Sequence, residues 1–141
     1  MKYYLAYGSN LDLDHMKKIC PNAIFLGITK ITGLKLAFRG EHLRSYLTVV
    51  IDKSSSVEVG IFQITNHCEK ALDYYEAYPN LYFKDEIEFT YHGQIFKGLI
   101  YIMRDKYKFN LPTKEYLDMV INAFNYHKLD INPIKKALIE K

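Results

Sequence analysis

Seven short runs of strand-forming residues, each closed by a turn signal, constrain this chain more than any other feature of its sequence. Tyr3 to Tyr7 is aromatic and apolar and stops at Gly8-Ser9-Asn10, so it reads as a strand entering a tight loop. Two strands are expected between Ala23 and Phe38, divided at Gly33. Leu47 to Asp52 makes another, and the polar stretch Lys53 to Ser56 reads as a turn. Val57 to Ile64 alternates with period two, with Gly60 as a bulge or a point of close contact. Tyr82 to Tyr91 and Ile95 to Met103 face each other across His92-Gly93, a two-residue hairpin signal.

Helical periodicity interrupts these runs in four places. Asp12 or Asp14 caps a short helix through about Ile19, stopped by Pro21. Thr65 or Asn66 opens a second, with Ala71, Leu72 and Tyr75 on its apolar face and Pro79-Asn80 ending it. Asn110 to Thr113 opens a third, striped by Tyr116, Leu117, Val120, Ile121 and Phe124. Asn132-Pro133 starts a last short one, Pro being tolerated in a first helical turn. The sum is an α+β domain: a small mixed β-barrel of about six or seven strands with flanking short helices. At 141 residues, without repeats or low-complexity tracts, residues 1–141 read as one domain.

Several function classes are disfavoured at once. The net charge is only +3 and the Lys and Arg residues are scattered, which gives no nucleic-acid footprint. No segment has a membrane-spanning length, and the N-terminus lacks the apolar core of a signal peptide, so a cytoplasmic protein is expected. Cys20 and Cys68 share no metal-ligand spacing and are expected as free buried thiols in a reducing compartment. Phosphate-cradling glycine loops, nucleophile elbows and paired-His metal helices are absent. Asp12, Asp14 and His15 are spaced for helix capping rather than for a cation.

Two stretches carry chemistry. Tyr7-Gly8-Ser9-Asn10-Leu11 lies between a strand and a helix, where such a loop presents several backbone N–H groups together with a hydroxyl and an amide. That suits a carboxylate or an amide oxygen; a plain strand-to-helix turn with a capping Asn explains the same residues equally well. The second stretch runs from Leu72 to Phe83, where Glu76 is surrounded in sequence by Tyr74, Tyr75, Tyr78 and Tyr82. A carboxyl in that company is desolvated, and its pKa rises toward what a general base needs at neutral pH. A solvent-facing helix glutamate is the competing reading, and Asp73, three residues earlier, is a rival for the same role.

Taken together, these two motifs in this order resemble the γ-glutamylcyclotransferase-like (AIG2-like) family. The resemblance extends through Tyr82, through Tyr101 in Gly98-Leu99-Ile100-Tyr101, and through Pro112-Thr113-Lys114-Glu115-Tyr116, covering the chain from Tyr3 to about Leu129. It implies a barrel with a cavity at one end. Tyr7, Gly8, Ser9, Asn10 and Leu11 would hold the glutamyl group, Glu76 would be the acid/base, and Tyr82, Tyr101 and Tyr116 would line the site. The departures from the family are Ala77, where Gly is usual, and Phe83-Lys84, where Arg is usual.

The implied reaction needs little from a protein. A γ-glutamyl amine or amino acid carries its own nucleophile, the α-amine, placed to close a five-membered ring on the γ-carbonyl, with effective molarities that reach ~10⁵ M or more. One carboxylate with a raised pKa can perform both proton transfers, so neither a metal nor a cofactor is called for. The expected partner is a small γ-glutamyl substrate, with the protein a monomer or a homodimer. A non-catalytic ligand-binding or interaction module on the same barrel is the alternative, since fold does not fix function.

Overall fold

The computed structural model describes residues 2–140. Six strands form one mixed sheet: β1 (Lys2–Ala6), β2 (Ile24–Glu41), β3 (Arg44–Ile64), β4 (Tyr82–Tyr91), β5 (Gln94–Met103) and β6 (Lys108–Phe109). The spatial order is β4-β5-β1-β3-β2-β6. Only β1 and β5 run parallel, meeting at Tyr4 and Leu99. The sheet curls into a half-barrel, and side chains tie together strands that are not ladder neighbours. Thr29 Oγ1 donates to Thr90 O at 2.6 Å and Tyr91 Oη to Leu26 O at 2.6 Å, joining β4 to β2. The Met103 N–H donates to Thr48 Oγ1 at 2.8 Å, joining β5 to β3. These contacts satisfy edge groups that would otherwise be left bare.

The four strands expected between Ala23 and Ile64 are two long bent ones, β2 and β3. Thr32 pairs with Ser56 but Leu34 pairs with Ile51, so residues 52–55 lie opposite Gly33 alone. Gly33 takes φ +86 in this bulge, a conformation that an L side chain resists. Asp52 Oδ1 accepts from the Ser54 N–H and hydroxyl, so the polar stretch read as a turn becomes a self-satisfied kink within β3. The His92-Gly93 turn joins β4 to β5, with both residues at positive φ.

Four helices cover the sheet: α1 (Leu13–Ile19), α2 (Asn66–Tyr75), α3 (Lys114–Tyr126) and α4 (Asn132–Ala137). Asp12 caps α1 by accepting from the His15 N–H, Thr65 caps α2 and Thr113 caps α3. Leu5, Phe38, Ile61, Leu72, Ile100 and Ile134 are fully buried in the core they enclose. Cys20 and Cys68 form a disulfide between the end of α1 and the start of α2, in place of the two free thiols expected. The argument for a reducing compartment that rested on free thiols falls with them. Sequence reasoning missed the pair because their 48-residue separation says nothing about contact; only packing α1 against α2 brings them together. Among the described residues, no helix is long and apolar enough to cross a membrane.

Candidate active site

A cavity of about 570 Å³ opens where the loop after β1, the end of α2 and the first residues of β3 converge. That is the size of a site for a small molecule. A single 3-10 turn, Ser9–Leu11, forms the loop. Within it the Leu11 N–H bonds to Gly8 O and the Asp12 N–H to Ser9 O, both at 3.0 Å, while the N–H groups of Ser9 and Asn10 find no protein partner among the described residues. These two donors belong to residues that line the cavity.

Glu76 is the residue on which α2 ends. Its N–H bonds to Leu72 O at 2.8 Å, and the chain then turns back, with the Ala77 N–H bonding to Tyr74 O and the Tyr78 N–H to Asp73 O. This pair of bonds is the Schellman arrangement, which requires a left-handed residue just past the cap. Ala77 fills that place at φ 51. The backbone conformation thus explains why Gly is usual there in the family the sequence resembles, and why Ala carries a cost of roughly 1 kcal/mol.

The Glu76 carboxyl faces the cavity. Burial pushes its pKa up from 4.5 to about 8, and no other cause contributes. Although the residue as a whole is only half-buried, its aromatic surroundings exclude enough water to penalise the charge. In turn, the tyrosines around it are held protonated. Burial raises the Tyr4, Tyr7 and Tyr82 hydroxyls well above their ordinary range, and the nearby Glu76 charge adds to the effect. Burial moves Tyr116 the same way. Uncharged tyrosines beside a carboxylate are pure hydrogen-bonding groups.

Asp73, the rival carboxylate, does not line the cavity and is engaged elsewhere. It accepts from Tyr101 Oη at 2.6 Å and from Lys84 Nζ at 3.1 Å. Lys84 also pairs with Glu69 at 2.8 Å. Two donors, one of them charged, thus occupy both carboxylate oxygens of Asp73. Lys84 is one of the two departures from the family pattern, and it is spent on this network.

Of the residues singled out in the sequence, Tyr7, Gly8, Ser9, Asn10, Glu76, Tyr82, Tyr101 and Tyr116 all line the one cavity. Leu11 does not. It is fully buried beneath the loop, where a Cβ on Gly60 would come within 2.8 Å of its side chain, and its carbonyl accepts from His127 Nε2 at 2.7 Å. Its role is to seat the loop on β3. An apolar residue after a polar trio points inward, and that was the signal available in the sequence.

Hydroxyl directions differ among the tyrosines. Tyr82 donates to Leu47 O at 2.8 Å and Tyr7 to Tyr101 O at 2.6 Å, so each can only accept from a ligand. Tyr116 instead accepts from the Leu47 N–H at 3.1 Å, and its own proton is directed toward the cavity side, where the Ser9 side chain is also within hydrogen-bonding range. Asn10 gives Nδ2 to Tyr4 Oη at 2.9 Å, while its buried Oδ1 has no partner. Sequence reasoning did not single out Tyr4, Tyr46, Arg44 or Tyr107, which also line the cavity; they lie on strands and loops whose curvature alone brings them there. Among the described residues, no three His, Cys, Asp or Glu side chains converge as a metal site requires.

The profile of one protein family, described as gamma-glutamyl cyclotransferase, AIG2-like, matches residues 4–118 of the chain. A solved structure described as a gamma-glutamyl cyclotransferase superposes with a TM-score of 0.85 at 19% identity, over 99% of this chain and 88% of the other. An uncharacterised protein from Homo sapiens gives 0.84 at 19% identity over the same shares. An AIG2-like protein from Mus musculus gives 0.62 at 20% identity, over 83% of this chain and 82% of that one. At such identities the likeness is one of fold. No curated protein sequence matches the chain.

Proposed function

The chain belongs to the AIG2-like γ-glutamyl cyclotransferase family, and from that premise we propose that it cleaves a γ-glutamyl amine or γ-glutamyl amino acid, releasing 5-oxoproline and the free amine. One observation carries the reading: Glu76 lines the cavity beside the Ser9–Asn10 loop, its carboxyl without a hydrogen-bond partner among the described residues and its pKa lifted to about 8 by burial, whereas the other carboxyl of the lining, Glu41, is exposed. A pure binding site has no use for an unpaired base held near neutrality.

The chemistry balances without water. Glu76 takes a proton from the substrate's α-ammonium, and the freed amine attacks the γ-carbonyl. A C–N bond forms within the five-membered ring. The C–N bond to the leaving amine then breaks as Glu76 returns its proton to the departing nitrogen; the second proton that the ring nitrogen sheds passes over the same carboxylate to the amine, which leaves as an ammonium. Charge develops on the γ-carbonyl oxygen in between. The groups that can meet it, or hold the α-carboxylate, are the Ser9 and Asn10 N–H groups and the Tyr116 hydroxyl. Tyr7 and Tyr82 offer only lone pairs and suit the substrate's N–H groups.

The test is 5-oxoproline release from a panel of γ-glutamyl amines and amino acids. Glu76→Gln keeps the shape but cannot accept a proton, so turnover falls at least ~10²-fold with substrate binding nearly kept. Asp73→Asn retains an acceptor for Tyr101 and keeps most activity. Activity surviving in Glu76→Gln and lost in Asp73→Asn would transfer the role to Asp73; silence across the panel from folded protein would leave only a binding module.

A further inference from the structure

A chain of side-chain hydrogen bonds leads out of the cavity away from Glu76. Ser9 Oγ lies 3.3 Å from Tyr75 Oη, and Tyr75 Oη lies 2.8 Å from His15 Nε2. The imidazole and phenol rings also meet edge to face, with centroids 5.2 Å apart. Ser9 is buried and lines the cavity, as does Tyr75, whereas His15 sits on α1 outside it. Any influence of His15 on a ligand therefore passes through Tyr75.

The direction of this chain is not free. Each hydroxyl has one proton, so the bonds run all one way or all the other. In one sense His15 Nε2–H donates to Tyr75, Tyr75 donates to Ser9, and the Ser9 proton is left for the cavity side, where a ligand oxygen competes with the Tyr116 hydroxyl for it. In the reverse sense Ser9 donates to Tyr75, Tyr75 donates to a bare His15 Nε2, and Ser9 shows the cavity only lone pairs. We propose that His15 and Tyr75 are positioning residues that set Ser9 as a hydrogen-bond donor to an anionic oxygen of the substrate, His15 holding its proton on Nε2 when that oxygen is present. This rests on the cyclotransferase reading, which supplies two such oxygens: the α-carboxylate and the oxyanion of the ring-closing step.

The surroundings of His15 fit the part. Burial lowers its pKa, with Asp12 acting upward and Lys18 downward, so at neutral pH the ring is uncharged and free to exchange tautomers. Its backbone N–H is occupied by Asp12 Oδ1 at 3.0 Å, which fixes the residue on the first turn of α1. At the far end of the same helix pair, the Cys20–Cys68 disulfide holds α1 to α2, so His15 and Tyr75 approach each other across a braced contact.

The experiment has a ligand-free arm, a product arm and a kinetic arm. In ligand-free protein, Tyr75→Phe must move the His15 Nε2 resonance in ¹⁵N NMR; an unmoved resonance overturns the relay. Addition of 5-oxoproline, which carries a carboxylate, must shift His15 to the Nε2–H tautomer in the natural protein and not in Tyr75→Phe. Bound product with no change of tautomer also overturns the proposal. In turnover, Tyr75→Phe and His15→Leu each lower kcat/KM about five- to tenfold, the worth of one neutral hydrogen bond. The double variant falls no further, and His15→Gln, whose amide replaces Nε2, recovers most of the loss. Losses that multiply in the double variant would show two separate structural effects instead. If the natural protein neither binds 5-oxoproline nor releases it, the cyclotransferase reading fails, and the ligand-free arm alone decides the relay.

Discussion

Holding Glu76 in its cavity should cost stability, and the cost should appear only where the unfolded chain would carry that carboxyl charged. Its native pKa of about 8 stands against 4.5 for the free carboxyl. At about 1.4 kcal/mol for each tenfold in proton affinity, that gap makes the charged form about 5 kcal/mol dearer in the native state than in the unfolded one. Solvent entering the open cavity screens part of this, so a loss of roughly 2–5 kcal/mol is expected. The sign follows from proton counting. Between pH 4.5 and about 8 the native state keeps the proton and the unfolded state has lost it, so stability falls as pH rises through that window. Below 4.5 the stabilising proton is bound in both states; above about 8 the loss is complete. Urea unfolding of the natural protein and Glu76→Gln at pH 5, 7 and 9, without reductant, measures it. The difference between the two isolates Glu76, because His15 and Glu69 titrate alike in both. Glu76→Gln should gain over the natural protein as pH rises, most at pH 9. Parallel curves, or a variant less stable at pH 9, would refute a desolvated Glu76 and with it the basis for a general base.

Two further outcomes follow from the same contacts. Tyr82→Phe strips the Leu47 carbonyl of its donor at 2.8 Å, so it should cost roughly 1–3 kcal/mol in urea unfolding in addition to any effect on turnover. Reducing the Cys20–Cys68 disulfide frees a 48-residue separation in the unfolded chain and should lower stability by about 2–4 kcal/mol, read as a lower Tm with dithiothreitol; an unchanged Tm would mean that the bond contributes nothing.

Much of the local structure was legible in the sequence because its causes are local. The helix starts near Asp12 or Asp14, at Thr65 or Asn66 and within Asn110–Thr113 are resolved by the structure to caps at Asp12, Thr65 and Thr113. These starts, the hairpin at His92-Gly93 and the helix opened by Asn132-Pro133 each depend on a few adjacent residues that act within one turn. The Lys53–Ser56 stretch marked a real departure from regular pairing. Whether such a departure ends a strand or bends it depends on what lies across the ladder, and Gly33 lay across it. The sequence likewise ordered the loop and Glu76 along the chain and gave the reason for a raised pKa, since both are matters of residue type.

What only the tertiary structure decided are relations between residues far apart. Asp73 and Glu76 are rivals in sequence; β4 with Lys84 and β5 with Tyr101 supply partners to Asp73, and none of the described residues bonds the Glu76 carboxyl. The apolar side chain of Leu11 hints that it turns inward, but the place that receives it, beside Gly60 on β3, exists only in the folded chain. The tyrosines divide into donors and acceptors only once Leu47 presents its carbonyl to Tyr82 and its N–H to Tyr116. The cysteines pair only because α1 lies along α2. A hydrogen bond has a direction and a reach of about 3 Å, and neither exists until the chain has closed on itself.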